Sequence, residues 1–139
     1  MTRRQAAGFA VVLGLVLLGV GAFWAGNFYL KAMAGANQAV DCFLKRDAAE
    51  LYAMNHPSTK EKITPEELEK FIAQAYPDLG KAESFETFLI SKFFSGGYFC
   101  LTFEFKIKFE KSLAAARVSM ASSGGKMYVL AFSFFPHIE

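Results

Sequence analysis

Residues 98–109 read Tyr-Phe-Cys-Leu-Thr-Phe-Glu-Phe-Lys-Ile-Lys-Phe. Phe99, Leu101, Phe103, Phe105, Ile107 and Phe109 alternate with Tyr98, Cys100, Thr102, Glu104, Lys106 and Lys108. A period of two over twelve residues predicts a strand with one buried and one wet face. Outward from it, a two-residue turn at Glu110-Lys111 sets Phe109 opposite Ser112, and Ala114, Ala116, Val118 and Met120 then share the buried face. Ser123-Gly124-Gly125 reads as a three-residue hairpin loop that brings Leu130, Phe132 and Phe134 to that face. Upstream, residues 83–94 alternate poorly and put Lys92 on the buried side, which predicts a bulged edge strand joined through Gly96-Gly97.

Two helices precede the strands. Residues 36–55 place Ala36, Val40, Phe43, Ala48 and Leu51 near one stripe, ending before Pro57. Thr64-Pro65-Glu66-Glu67 supplies an N-cap, a first-turn proline and a glutamate at the capping-box position. That second helix buries Leu68, Phe71, Ile72 and Ala75 and stops near Pro77 and Gly80.

The N-terminal part has a different composition. From Ala6 to Leu30 no side chain is charged, a length above the roughly 20 residues that cross a hydrocarbon core. This predicts an uncleaved transmembrane anchor. A signal peptide cleaved at Ala32-Met33-Ala34 is the alternative, but its apolar core would be shorter. Arg3 and Arg4 before the span, against Lys31 alone after it, orient the N-terminus to the cytoplasm and the folded part outside. Phe23, Trp24, Phe28 and Tyr29 cluster at the exit end, where an interfacial aromatic belt belongs. Ala6, Ala10, Gly14, Gly21 and Ala25 fall within an arc of about 100° on a helix, a small-residue stripe suited to packing against another membrane helix or a second copy.

The expected fold is therefore α+β: a transmembrane helix, then a two-layer domain of two helices on a four-stranded antiparallel meander. The boundaries are 1–30 for the cytoplasmic tip and anchor and 31–139 for the extracytoplasmic domain. The chain has 139 residues, 53% of them hydrophobic and 16 of them Phe, which suits one domain plus an anchor and argues against disorder. Residues 31–139 hold 13 of the 15 basic residues and all 13 acidic ones. A neutral domain has no electrostatic footprint for phosphate backbones, so nucleic acid is not an expected partner.

Motifs for chemistry are sparse. Gly125-Lys126 lacks the other residues of a phosphate-binding loop, with Met120 and Met127 at the positions that need Gly and Ser or Thr. His56, His137, Cys42 and Cys100 have no metal-ligand spacing, and both histidines border a proline and read as loop or tail residues. No catalytic residue, cofactor or metal is expected. Cys42 and Cys100 could meet as a disulfide in an oxidising compartment, but Cys42 lies off the helix stripe and Cys100 has outward parity.

The run Ala39-Val40-Asp41-Cys42-Phe43-Leu44-Lys45-Arg46-Asp47 followed by Leu51-Tyr52, Leu79-Gly80 before the sheet, and Lys126-Met127-Tyr128-Val129-Leu130-Ala131-Phe132 at its end together resemble the small membrane-anchored bacterial members of the nuclear transport factor 2-like (cystatin-like) superfamily. The resemblance covers about Ala36 to Phe135. Many relatives have Gly-x-Trp-x-Val where Met127-Tyr128-Val129 stands here without the Trp. It implies a bacterial inner-membrane protein with a periplasmic domain, a layout shared by the inner-membrane scaffold subunit of type IV secretion systems. In enzymes of this superfamily an Asp or His acts with a Tyr in the helix-sheet cavity, which would make Asp41, Tyr52 and Tyr98 the candidates.

The expected role is that of a non-enzymatic accessory or scaffold subunit of a membrane complex. Its expected partner surface is the wet sheet face around Tyr98, Thr102 and Glu104, or the irregular first strand. A ligand-binding or catalytic cavity domain is the second possibility. A pilin-like subunit is the third, although Leu13 stands where pilins carry Glu.

Overall fold

A computed structural model describes residue 5 and residues 26–95 and 97–136. The chain divides into two compact units, Met1–Lys31 and Ala32–Glu139. The expected anchor falls in the first unit. Its stripe of Ala6, Ala10, Gly14, Gly21 and Ala25, and Phe23 and Trp24 of its aromatic belt, lie outside the described residues. Residues 26–44 are helical, with Phe28 and Tyr29 half-buried. Among the described residues no helix is long and apolar enough to cross a membrane.

The second unit is α+β. Its helices are α1 (32–44), α2 (Ala48–Ala53), α3 (Pro57–Lys60) and α4 (Pro65–Ala75), and its strands are β1 (Ala82–Ser95), β2 (Tyr98–Phe109), β3 (Leu113–Ser123) and β4 (Lys126–Phe135). The strands form an antiparallel meander in the order β1-β2-β3-β4.

The expected single helix over 36–55 is interrupted. On a straight helix Ala48 lies about 140° round from Phe43, so the stripe could not stay on the sheet. The chain instead takes a left-handed turn at Arg46, with φ 59°. The Asp47 N–H donates to the Cys42 carbonyl at 2.9 Å and the Arg46 N–H to the Phe43 carbonyl at 3.2 Å, a Schellman closure with arginine where glycine is usual. Asp47 then caps α2 by accepting from the Glu50 N–H. α4 begins as expected, with Thr64 accepting from the Glu67 N–H at 3.1 Å. At its far end the Tyr76 hydroxyl donates to the Phe43 carbonyl at 2.7 Å and ties α4 to the last turn of α1.

The core lies between α1, α4 and one sheet face. Phe43 sits among Phe132 at 4.9 Å, Phe134 at 5.0 Å, Tyr76 at 5.1 Å and Phe71 at 5.8 Å between ring centroids. Beneath are the buried Phe103, Phe105, Ile107 and Phe109 of β2 and the smaller Ala114, Ala116, Val118 and Met120 of β3, as the alternation predicts. Small residues on α1 (Ala32, Ala36 and Ala39) let its backbone approach the sheet. At Gly35 a Cβ would lie 2.6 Å from the Met120 methyl.

Two expectations about the sheet need correction. The last hairpin has a two-residue loop, since Ser123 pairs with Lys126 and both Gly124 (φ 57°) and Gly125 (φ 80°) take the left-handed conformation that such a turn requires. And the second sheet face is not uniformly wet. Cys100 and Thr102 are buried despite outward parity, because the segment after α2 wraps the β4 edge. Asn55 bridges Val129 in parallel, the His56 N–H donates to the Val129 carbonyl at 2.7 Å, and the Thr59 hydroxyl donates to the Leu130 carbonyl at 2.7 Å. α3 belongs to this strap, and neither was expected from sequence. β1 is bulged as expected, with register shifts between Ala82 and Ser84 and between Leu89 and Ser91. Lys92 pairs with Leu101 yet is exposed.

Core position and turn strain give two measurable contrasts. Phe103→Ala should lower the unfolding free energy by about 3 to 5 kcal/mol in equilibrium denaturation, against at most about 1 kcal/mol for Lys106→Ala on the wet face. Arg46→Gly should leave stability unchanged or raise it slightly, because glycine accepts the positive φ without a Cβ clash.

Candidate functional site

The two edges of the sheet differ. β4 is covered by the strap, whereas among the described residues no strand pairs with the outer side of β1. Within β1, Ser84, Glu86 and Phe88 pair with Lys108, Lys106 and Glu104 on the face away from the helices. Phe85, Thr87 and Leu89 pair with Ile107, Phe105 and Phe103 on the helix side. Thr87 donates to Asn37 of α1 at 3.0 Å, so α1 is held above this strand. Phe85 packs on Phe105 at 5.6 Å yet stays 36% exposed, and Phe88 is 45% exposed beneath the Lys106 ammonium. Phe94, at the far end, is 77% exposed. Three exposed phenylalanines on an open edge strand are an unusual allotment for a surface that meets only water.

A groove of about 510 Å³ lies between the end of α1 and the start of β1, lined among others by Asp41, Lys45, Arg46, Tyr76, Lys81 and Phe85. Its carboxylates have their own cations: Asp41 pairs with Lys45 at 2.8 Å, and Glu83 with Lys108 at 3.6 Å. Among the described residues no carboxylate forms a salt bridge with the Arg46 guanidinium, which lies 5.3 Å from the Tyr76 ring centroid, or with the Lys81 ammonium. Burial pushes the Tyr76 phenol above its ordinary value, while Arg46 opposes the shift.

The expected partner surface is only partly a surface. The Thr102 hydroxyl shares a 2.8 Å hydrogen bond with that of Ser119 at 8% exposure, and Tyr98 stacks edge-on against His56 at 4.4 Å. Glu104 remains half-exposed. The strap supplies the cover that strand parity could not reveal. A cavity of about 520 Å³ opens beside it, between Ser58, Thr59, Lys62, Phe93, Tyr98 and Ser119. Asp41, Tyr52 and Tyr98 fall in three neighbourhoods, with Asp41 on Lys45, Tyr52 under the Lys60 ammonium at 5.6 Å and Tyr98 on His56.

His56, taken from sequence as a loop residue, is fully buried. Its Nδ1 accepts from the Ser58 N–H at 3.2 Å and lies 2.8 Å from the Ser58 hydroxyl, capping α3. The neutral ring then carries its proton on Nε2, which has no hydrogen-bond partner and is left to the aromatic rings of Tyr98 and Tyr128. Asn-His-Pro-Ser ahead of a helical turn was the one local signal of this cap. Cys42 and Cys100 are buried, Cys42 on α1 and Cys100 on the opposite side of the sheet, in register with Ala121 and with its thiol donating to the Tyr98 carbonyl at 3.5 Å. Burial, with Glu50, Asp47 and Asp41 nearby, pushes the Cys42 thiol up to about 11. No group of three or more His, Cys, Asp or Glu that could hold a metal occurs among the described residues.

Compared with known protein families, curated proteins and solved structures, the chain matches none.

Two consequences can be measured. His56→Ala should cost about 2 kcal/mol or more, through a lost cap and a cavity, and His56→Asn should recover the cap's share of about 1 kcal/mol, read as denaturation midpoints. The folded state keeps the Cys42 proton at a pH where the unfolded thiol, near 9.0, has lost it. Its contribution is therefore complete below about pH 9 and declines towards about pH 11, so the stability difference between the native chain and Cys42→Ala should shrink over that interval.

Proposed function

We propose that this is a non-enzymatic, single-pass protein of a bacterial inner membrane, anchored by residues 1–30 with its N-terminus in the cytoplasm and residues 31–139 in the periplasm. In this reading it is an accessory or scaffold subunit that joins another membrane protein, or a second copy, through its anchor helix and its outer domain. Membership of the nuclear transport factor 2-like superfamily is part of the same proposal. Support for the anchor is the uncharged run from Ala6 to Leu30 behind Arg3 and Arg4. The observation that carries the docking role is β1, an uncovered edge strand with Phe85, Phe88 and Phe94 exposed, in a domain whose other edge is strapped.

The helix-sheet interior is filled by Phe43, Phe103, Phe105 and Phe109 rather than by converging polar groups, which favours docking over catalysis. The cavity beside Tyr98 and Ser119 is the specific feature that keeps a small-ligand reading second.

Affinity purification of the full chain from detergent extracts, with mass spectrometry, tests the proposal. A discrete membrane partner should co-purify, and Phe88→Ser should reduce its recovery by roughly fivefold or more while the domain stays folded, since the side chain lies on the outer sheet face, 45% exposed and outside the helix-sheet core. Unchanged recovery with Phe88→Ser and Phe94→Ser together would remove β1 from the interface. Gly14→Leu with Gly21→Leu should likewise weaken recovery if the anchor packs on its partner, while insertion is maintained.

A further inference from the structure

The groove at the start of β1 combines three features. It has a strand edge on one wall, because Ala82, Glu83, Ser84 and Phe85 all line it and, among the described residues, β1 has no outer neighbour in the sheet. It has an aromatic floor and side in Tyr76 and the partly exposed Phe85. It also has two cations whose side chains form no salt bridge among the described residues, Arg46 and Lys81, although the Lys81 backbone N–H donates to a Glu110 carboxylate oxygen at 3.1 Å. A strand edge recognises an extended backbone, an apolar wall recognises a side chain, and paired cations recognise an anion.

We propose that this groove captures the C-terminus of a partner polypeptide, which lies antiparallel to Ala82–Phe85 as a short added strand and places its terminal carboxylate between Arg46 and Lys81. The direction follows from position: Lys81 immediately precedes β1, so a chain whose end reaches it runs opposite to β1. The side chain near the end then meets Phe85 and Tyr76, which calls for an apolar residue. The bulge between Ala82 and Ser84 restricts the pairing to a few residues, and Glu83 is drawn to Lys108 at 3.6 Å. A short terminus fits this wall better than a long strand.

Charge and backbone geometry agree. The end of α1 presents carbonyls, which by themselves repel an anion. Here the Phe43 carbonyl accepts from Tyr76 and from the Arg46 N–H, and the Cys42 carbonyl from the Asp47 N–H. Arg46 and Lys81 together carry two positive charges, which exceed the one Glu110 carboxylate bound to the Lys81 N–H and the partial charge that remains. Arg46 stands at a positive φ where glycine would be relaxed, and that conformation sets its guanidinium over Tyr76 at the groove. The strain is accounted for if the guanidinium has a ligand to hold.

This inference rests on the docking role proposed above and specifies the chemistry of what docks. The test uses the detergent-solubilised full chain and two libraries of fluorescent decapeptides with the last four positions randomised, one with free C-terminal carboxylates and one with C-terminal amides. The free acids should be selected with apolar residues at or next to the end, and their amides should bind roughly tenfold more weakly. Arg46→Gly with Lys81→Gln should abolish the acid-over-amide preference, and both substitutions leave the fold intact, since glycine suits the turn and Lys81 is exposed. Equal capture of acids and amides, no selection from either library, or an acid preference that survives the double substitution would each overturn the inference. Phe88 lies on the sheet face away from the groove, so its substitution reports on docking separately. A partner still recovered by the double variant and lost with Phe88→Ser would leave the docking role standing and this groove without a part in it.

Discussion

The domain depends on how Phe43 is seated. Its ring meets Phe71 and Tyr76 from α4 and Phe132 and Phe134 from β4, so one side chain links the helical layer to the end of the meander. That position requires α1 to lie close to the sheet, which the alanines of α1 and Gly35 allow and which the row Ala114, Ala116 and Val118 accommodates from below. It also requires α1 to end soon after Phe43, since a longer straight helix would carry its apolar residues off the sheet. The turn at Arg46 and the Tyr76 hydroxyl on the Phe43 carbonyl are the two devices that end it there.

From that arrangement follows the asymmetry of the sheet. α1 and α4 fill one face, and the chain between them has to pass the β4 edge, where residues 54–59 pair with Val129 and Leu130 and close the edge to other strands. Among the described residues nothing comparable crosses β1. Phe85, Phe88 and Phe94 are exposed on that side, against Phe135 alone on β4, so packing on one edge leaves the other available for binding.

The sheet was largely legible in the sequence, because period-two alternation is local and strong in residues 98–109 and a short turn propagates it to β3, whereas in β4 a register shift at Ser119/Met120 pairs Met120 with Val129 rather than with Leu130, which alternation does not reveal. The capped start of α4 was legible for the same reason, as Thr64 to Glu67 contain their own instruction. What was missed depends on distant partners. Cys42, Cys100, Thr102 and His56 were assigned to exposed or peripheral places, yet each is buried by contacts that local pattern does not encode, in the last three cases through a segment that reads as an ordinary loop around Pro57. The break at Arg46 is not visible in the apolar spacing alone, because gaps of three to five residues mimic one stripe while Ala48 drifts about 140° from Phe43 around a straight helix. The groove between Arg46 and Lys81 joins residues 35 apart in sequence through the fold alone, and no motif announces it.

The strap has a consequence for the order of assembly. The Thr59 hydroxyl bonds the Leu130 carbonyl across a separation of 71 residues, whereas the turns between strands span two or so. A ribosome adding about 5 to 20 residues per second makes the strap several seconds before the strand it closes upon. During that interval His56 lacks the Tyr128 ring and the Val129 carbonyl, and the meander grows with its last edge bare. Closure is therefore a late event in the biogenesis of this chain, and a nascent protein stopped short of β4 presents folding helpers with two uncovered edges where the finished one presents a single edge.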